Sequence, residues 1–169
     1  MIQRIQSVYF LLALICVLLM LWFPLFSIEI STSLGTEKIT SSTSLGPNGL
    51  SGDLLGTSRA VPLYLIYVLL AVLIIVCLMM YKKRKRQILL TRLTLILHVL
   101  VVLGIYAFYF FGKPVLLSAA AIENSDDLAV QFSTKPGFFI LVAAIPFLLL
   151  ALRGIKHDEQ LVKSLDRLR

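Results

Sequence analysis

The stretch VPLYLIYVLLAVLIIVCLMMYKKRKRQILLTRLTLILHVLVVLGIYAFYFF (61–111) determines the fold that the sequence predicts. It holds two apolar runs, 61–81 and 88–111, with the basic sequence KKRKR (82–86) between them. A helix of about 20 apolar residues crosses a hydrocarbon core roughly 30 Å thick. We therefore expect two neighbouring membrane helices joined by a short basic loop.

The rest of the chain extends this pattern. Of its 169 residues, 59% are hydrophobic and the mean hydropathy is +0.92, whereas soluble domains are about 45–50% apolar. The expected fold class is an all-α membrane protein, a four-transmembrane-helix bundle that forms a single domain over 1–169. The expected spans are about 7–26, 61–81, 88–111 and 137–152, with outer loops at 27–60 and 112–136 and a cytoplasmic tail at 153–169.

The first apolar run is expected to be retained rather than cleaved. It follows a short basic start at Arg4 and is longer than the apolar core of a usual signal peptide. It continues as FPLFSIEI (23–30), without the small residues of a cleavage site. Cys16 follows an isoleucine, where a bacterial lipidation signal needs a small residue, so we expect no lipid anchor there.

The basic residues predict the orientation, because lysine and arginine near span ends resist translocation. With four spans, twelve of them lie on one side and four on the other. We therefore expect both termini in the cytoplasm. The run at 82–86 leaves no room for a nucleic-acid-binding domain, so its expected neighbours are the headgroups of the lipid bilayer. The twelve are Arg4, the five at 82–86, Arg92, Arg153, Lys156, Lys163, Arg167 and Arg169; the four are Lys38, Arg59, Lys113 and Lys135.

The two outer loops contain short segments in which apolar and polar residues alternate. This period of two is typical of a half-buried strand. It predicts strands at FSIEIS (26–31), EKITSSTS (37–44) and LAVQFS (128–133), which together form a small β-sheet cap. Glycine, proline, asparagine and aspartate in 45–59 indicate turns, and Pro114 is expected to open a short helix. The alternative is that both loops are flexible.

One polar stripe enters the predicted bundle. Thr91, Thr94 and His98 share a helical face, and His98 is an ionisable residue inside a span, which makes it a candidate functional site. No carboxylate lies at the same depth to complete a proton relay. We therefore expect a neutral histidine that forms a hydrogen bond between helices, with a ligand or relay role as the alternative.

The residue pattern predicts no catalytic, metal or cofactor site. Cys16 and Cys77 form no C-x-x-C pair, and His98 and His157 are too far apart in the predicted topology to share a metal ion. The four predicted spans lack Asp and Glu altogether, which small multidrug exporters with four spans require. We therefore expect a protein that is not an enzyme and has no cofactor.

The charged tail KHDEQLVKSLDRLR (156–169) predicts an amphipathic helix. Leu161, Leu165 and Leu168 share one stripe, and the mixed charges favour contacts with protein over contacts with lipid alone. The partner is either the basic residues of the same chain or another membrane or cytoplasmic protein. The alternative is a solvated helix end that only supports orientation. The candidate interaction residues are Arg4, Asp158, Glu159, Leu161, Leu165, Asp166, Arg167 and Leu168.

The start MIQRIQS (1–7) and the end RGIKHDEQLVKSLDRLR (153–169) resemble a family of small four-span inner-membrane proteins of Bacteroidota, classified only as a domain of unknown function. The resemblance covers the whole chain in layout, and it is most distinctive at 1–6 and 156–169. Leu165 departs from it, since the family is expected to have a small residue there. The resemblance implies a bacterial cytoplasmic membrane and supplies no activity.

The sequence therefore predicts a non-enzymatic polytopic membrane protein. Its leading expected role is that of an accessory or assembly subunit that acts through contacts with other proteins. The alternative is a binder or carrier of a lipid, a quinone or another small apolar ligand inside the bundle near His98. A protein that co-purifies in mild detergent favours the first role, and a bound apolar molecule favours the second.

Overall fold

The computed structural model describes residues 3–34, 37–52, 63–119 and 129–167. These described residues form four helices and four strands, which alternate in groups. Their bounds are α1 Gln3–Leu19, β1 Phe26–Leu34, β2 Glu37–Gly46, β3 Gly49–Gly52, α2 Leu63–Met79, α3 Arg84–Ala119, β4 Ala129–Thr134 and α4 Pro136–Arg167. A short 3₁₀ turn, Met80–Lys82, joins α2 to α3.

The predicted four-span bundle is wrong, because only two helices in the described residues are long and apolar enough to cross a membrane. They are Arg84–Phe111 within α3 and Pro136–Val162 within α4. The apolar helices at Gln6–Leu19 and Leu63–Met79 are shorter. At 1.5 Å per residue, a helix of 17 residues is about 26 Å long, less than a hydrocarbon core of roughly 30 Å.

The first helix ends early because the chain turns at 20–23 and Pro24 precedes a strand. The amides of Leu21 and Trp22 bond to carbonyls three residues back, at 3.0 Å each. The predicted span 7–26 therefore combined a helix, a turn and the first residue of β1. Hydropathy alone did not separate them, because all three segments are apolar.

The two long helices also extend beyond their predicted bounds. α3 passes through Pro114 to Ala119, so the predicted separate short helix is part of it. α4 passes through Pro146 and continues to Arg167. The predicted tail helix is thus the C-terminal part of α4, and Leu168 lies outside the described residues.

The strands form one antiparallel sheet in the order β3-β2-β1-β4. Phe26 pairs with Leu45 of β2 and with Thr134 of β4, and Ile28 pairs with Thr43. All three predicted strand segments contribute to this sheet. The expectation of turns throughout 45–59 is wrong in one part, because Gly49–Gly52 forms β3; residues 53–59 lie outside the described range.

The sheet follows α1 after a short turn and contacts α3 and α4. The ring of Phe26 lies 5.1 Å from that of Tyr109 and 5.3 Å from that of Phe138, measured between centroids. Gly137, the second residue of α4, lies directly against the chain after α1, where its amide donates to the Pro24 carbonyl at 3.2 Å. A β-carbon at position 137 would lie 2.5 Å from that same carbonyl oxygen. Glycine is therefore required for this close approach.

The helices pack side by side, α1 against α2 and α4, and α3 against α2 and α4. On α1, α2 and α4 the shared core is formed by buried apolar side chains that repeat every three or four residues. On α3 most of the described buried side chains are polar. The outward surfaces are also apolar. Residues exposed there include Val8, Leu11, Leu65, Val68, Leu93, Ile96 and Leu149.

Candidate functional site

The predicted polar stripe lies inside the packed helices. Thr91, Thr94 and His98 are fully buried on one face of α3. The hydroxyl of Thr91 donates to the Gln87 carbonyl at 2.8 Å, and that of Thr94 donates to the Leu90 carbonyl at 2.9 Å. Both threonines therefore bond back into their own helix, which satisfies polar groups that an apolar core would otherwise leave unpaired.

His98 connects α3 to α4. Its Nε2 lies 2.9 Å from the carbonyl oxygen of Leu141. Because a carbonyl only accepts hydrogen bonds, Nε2 carries a proton and donates it. Nδ1 is buried and has no hydrogen-bond partner in the described structure. This geometry is that of an interhelical structural bond, with one ring nitrogen still available.

The stripe extends to a residue that sequence reasoning missed. Gln87 is buried one turn before Thr91, and its Nε2 donates to the carbonyl of Cys77 on α2 at 3.0 Å. The Cys77 thiol in turn lies 3.7 Å from the Thr94 hydroxyl. The helical spacing of Gln87, Thr91, Thr94 and His98 was visible in the sequence, but Gln87 falls just outside the predicted span.

A second polar group joins α1, α3 and α4 near their basic ends. This basic-end cluster consists of Gln6, Arg84 and Asp158. Nε2 of Gln6 donates to Oδ2 of Asp158, and the Arg84 guanidinium donates to the backbone carbonyl of Asp158 at 3.3 Å. Gln6 also packs on Gly154, where a β-carbon would lie 2.9 Å from its Cγ. The cluster therefore attaches the start of α1 to α4.

A cavity of about 20 Å³ adjoins the basic-end cluster, and Ser7, Tyr81, Arg84 and Gln87 contribute to its lining. A polar cavity of this size has room for one water molecule. Oδ1 of Asp158 is buried at its edge without a protein partner in the described structure. A single bridging water would satisfy that oxygen.

The tail residues predicted to contact a partner are placed differently from one another. Asp158 is only 7% exposed and faces the interior of its own chain, so it does not lie on a docking face. Glu159 is partly exposed, and Leu161 is 42% exposed. Leu165, Asp166 and Arg167 belong to α4 and Arg4 to α1, but their side chains, like Leu168, lie outside what is described.

A larger, apolar cavity lies between α2, α3 and β2. Its volume is about 390 Å³. It is separate from the polar stripe, because His98 does not line it. Sequence reasoning did not find it, since a cavity between three elements has no local sequence signal. Its lining residues are Leu45, Leu63, Ile66, Leu100, Val101, Gly104, Ile105 and Phe108.

Among the described side chains, no three histidines, cysteines or acids are close enough to hold a metal ion. Cys16 and Cys77 are free thiols. The polar groups described above are amides, hydroxyls, the Cys77 thiol, the Arg84 guanidinium, one imidazole and one carboxylate, each bonded mainly to backbone or to one neighbour. Such an arrangement joins helices; it contains no nucleophile paired with a base.

Comparison with known proteins assigns a family. No curated protein matches the chain. The family described as a domain of unknown function, DUF4293, matches residues 2–168. That match includes all four helices and the whole sheet, and it extends from the basic-end cluster to the apolar cavity. The chain therefore belongs to the DUF4293 family of proteins.

Proposed function

We propose that the protein is a non-enzymatic membrane protein that serves as an accessory or assembly subunit, with its partner held by the C-terminal part of α4. One observation carries this proposal. Leu161 and Val162 are each 42% exposed, yet they follow the basic residues Arg153 and Lys156. They lie about 12 Å beyond Arg153 along the helix axis.

The position of these two side chains argues for a protein partner. Leu141, Ala144, Leu148, Ala151, Ile155 and Asp158 form one buried stripe on α4. At helical spacing this stripe continues to Val162, where it becomes exposed. An apolar stripe that leaves the core and runs among charged residues is typical of a helix that packs into a groove on another protein.

The membrane location has its own support. Two helices are long and apolar enough to cross a bilayer, and exposed apolar side chains cover their outward surfaces. Exposed aromatic residues lie toward the sheet end, which suits a membrane interface. They include Trp22, Tyr64, Tyr106, Phe110, Phe111 and Phe139.

The charges support one orientation. Arg84 opens α3 and contacts α4 at Asp158, so the basic run and the C-terminal part of α4 lie at the same end. Gln6 lies at that end as well. By the positive-inside rule this end is cytoplasmic. The resemblance of 1–6 and 156–169 to proteins of Bacteroidota supports a bacterial inner membrane.

Substitution of Leu161 and Val162 by asparagine tests the proposed partner contact. We expect a protein that co-purifies stoichiometrically in mild detergent to be lost from the double variant, while membrane accumulation stays normal. The matched control is Gln160→Asn, an exposed change on the same turn, which should retain the partner. Retention of every co-purifying protein by the double variant would contradict the proposal.

A labelling experiment tests the membrane location separately. In a background without native cysteines, Ser133→Cys on the sheet and Gln160→Cys on α4 place exposed thiols at opposite ends of α4. A maleimide that cannot cross membranes should label only Ser133→Cys in intact spheroplasts and both variants after lysis. Labelling of both variants in intact spheroplasts would show that α4 does not cross the membrane.

A further inference from the structure

We propose that the apolar cavity between α2, α3 and β2 binds one alkyl chain of a membrane lipid. The inference rests on the proposed membrane location and is independent of the contact made by Leu161 and Val162. It also differs in place from the ligand site that the sequence predicted near His98, which does not line this cavity.

The lining decides the chemistry of the occupant. All eight lining residues in the described part of the chain are apolar, and seven of them carry only hydrocarbon side chains, with Gly104 as the eighth. Burying a polar group without a hydrogen-bond partner is costly. A quinone ring with its two carbonyl groups, or a lipid headgroup, would therefore find no side-chain partner among these eight residues. A hydrocarbon chain needs none.

The volume indicates how much of a chain fits. An apolar cavity of about 150 Å³ holds one benzene molecule, which has six carbons. The cavity here is about 390 Å³. By that comparison it has room for roughly a dozen or more carbon atoms, which is most of one lipid acyl chain and too little for a whole lipid.

The mouth of the cavity explains where the chain comes from. Leu45 and Ile105 form its buried floor, at 5% and 6% exposure, whereas Leu100 is 58% exposed. A β-carbon on Gly104 would meet nothing within 4 Å. The opening at Leu100 and Gly104 therefore lies on the outward apolar surface of α3. In a membrane that surface contacts lipid, whose chains are the nearest available occupants.

Photocrosslinking tests the proposal directly. The full-length protein is reconstituted in vesicles of phosphatidylethanolamine and phosphatidylglycerol that contain a phosphatidylethanolamine with a diazirine in its acyl chain. We expect crosslinks on Leu45 and Ile105, which bulk lipid does not reach because both are buried. Gly104→Phe fills the mouth of the cavity and should reduce these two crosslinks about tenfold, while crosslinks on the exposed Ile96 persist.

Two further variants keep the result interpretable. Leu103→Phe adds the same ring at a neighbouring exposed position outside the cavity and should leave the Leu45 crosslinks unchanged. If Gly104→Phe does not fold, Ile66→Trp fills the cavity from α2 and should give the same loss. An absence of Leu45 crosslinks in the unmodified protein, or their persistence in a folded cavity-filled variant, would overturn the proposal. Displacement of the crosslinks by a soluble quinone analogue, but not by added phospholipid, would overturn it as well.

Discussion

Gln6 and Asp158 allow a quantitative test of the basic-end cluster. Both side chains are buried, at 8% and 7% exposure, and the amide of Gln6 donates to the carboxylate. A hydrogen bond to a charged group contributes about 1.5–3 kcal/mol, and a buried partner left unpaired costs about 1–3 kcal/mol. The free energy of unfolding should therefore fall by about 2 kcal/mol in Asp158→Leu. The bond from Arg84 survives, because it goes to the backbone carbonyl of residue 158.

Gln6→Leu should be the more harmful single change. Oδ1 of Asp158 already lacks a partner among the described residues, so loss of the Gln6 amide leaves both carboxylate oxygens of a buried acid without one there. We expect a loss of about 3 kcal/mol, since unpaired charged groups cost more than neutral ones. The double variant replaces both partners by apolar groups and should lose much less than the sum of the single losses.

The measurement is a double-mutant cycle. Unfolding by sodium dodecyl sulfate in mixed micelles, followed by circular dichroism, provides the four free energies. Gln160→Leu, an exposed change on α4, is the control and should change stability little. If the two single losses add within about 0.5 kcal/mol, the side chains are not coupled. The account of the basic-end cluster would then be wrong.

Two more predictions concern the helix contacts. Gly137→Ala should reduce the free energy of unfolding by about 1–3 kcal/mol, because the new methyl group would lie 2.5 Å from the Pro24 carbonyl oxygen. The control is Gly46→Ala, where a β-carbon would meet nothing within 4 Å. The same unfolding assay should detect no comparable loss in that variant. His98→Gln should fold normally and cost about 1 kcal/mol or less, since an amide can also donate to Leu141. Loss of cellular function in a His98→Gln protein that accumulates normally would instead assign His98 a ligand or proton role.

The sheet was the part of the fold that local sequence predicted best. Alternation of apolar and polar residues is a property of each strand alone, so 26–31, 37–44 and 128–133 were recognised separately. β3 was missed because its sequence, GLSG, consists mainly of residues that favour turns. It is a strand because its pairing with β2 satisfies the backbone, a contact that the four residues themselves do not encode.

The number of spans was wrong because an apolar run is not the same as a helix. Hydropathy measures how apolar a segment is. A helix, by contrast, ends where the backbone stops forming helical hydrogen bonds. Pro24 and the alternation that begins at Phe26 are both visible in the sequence, but the predicted span 7–26 includes Pro24 and overlaps the predicted strand at Phe26. In the structure, α1 ends at Leu19, before Pro24 and the strand that begins at Phe26.

Asp158 shows which part of the tail the sequence makes predictable. The mixed charges of the tail predict contacts with basic residues of the same chain or with another protein, and the Arg84 guanidinium donates to the backbone carbonyl of Asp158. Continuing the apolar stripe of α4 from Leu148 and Ile155 by the helical period leads directly to Asp158, so its burial was open to prediction. Its partner was not, because Gln6 lies 152 residues away in sequence.

The strand order also has a consequence for synthesis. The outer edge of β1 pairs with β4, which begins about 95 residues after β1 ends. At roughly 5–20 residues per second, translation needs about 5–20 seconds to supply that strand. During this interval β1 pairs at most with β2, and its other edge can accept a foreign strand. α4 begins two residues after β4 ends, so the sheet is completed just as the synthesis of the last helix begins. A ribosome that stalls between residues 52 and 129 would leave an aggregation-prone edge on the nascent chain.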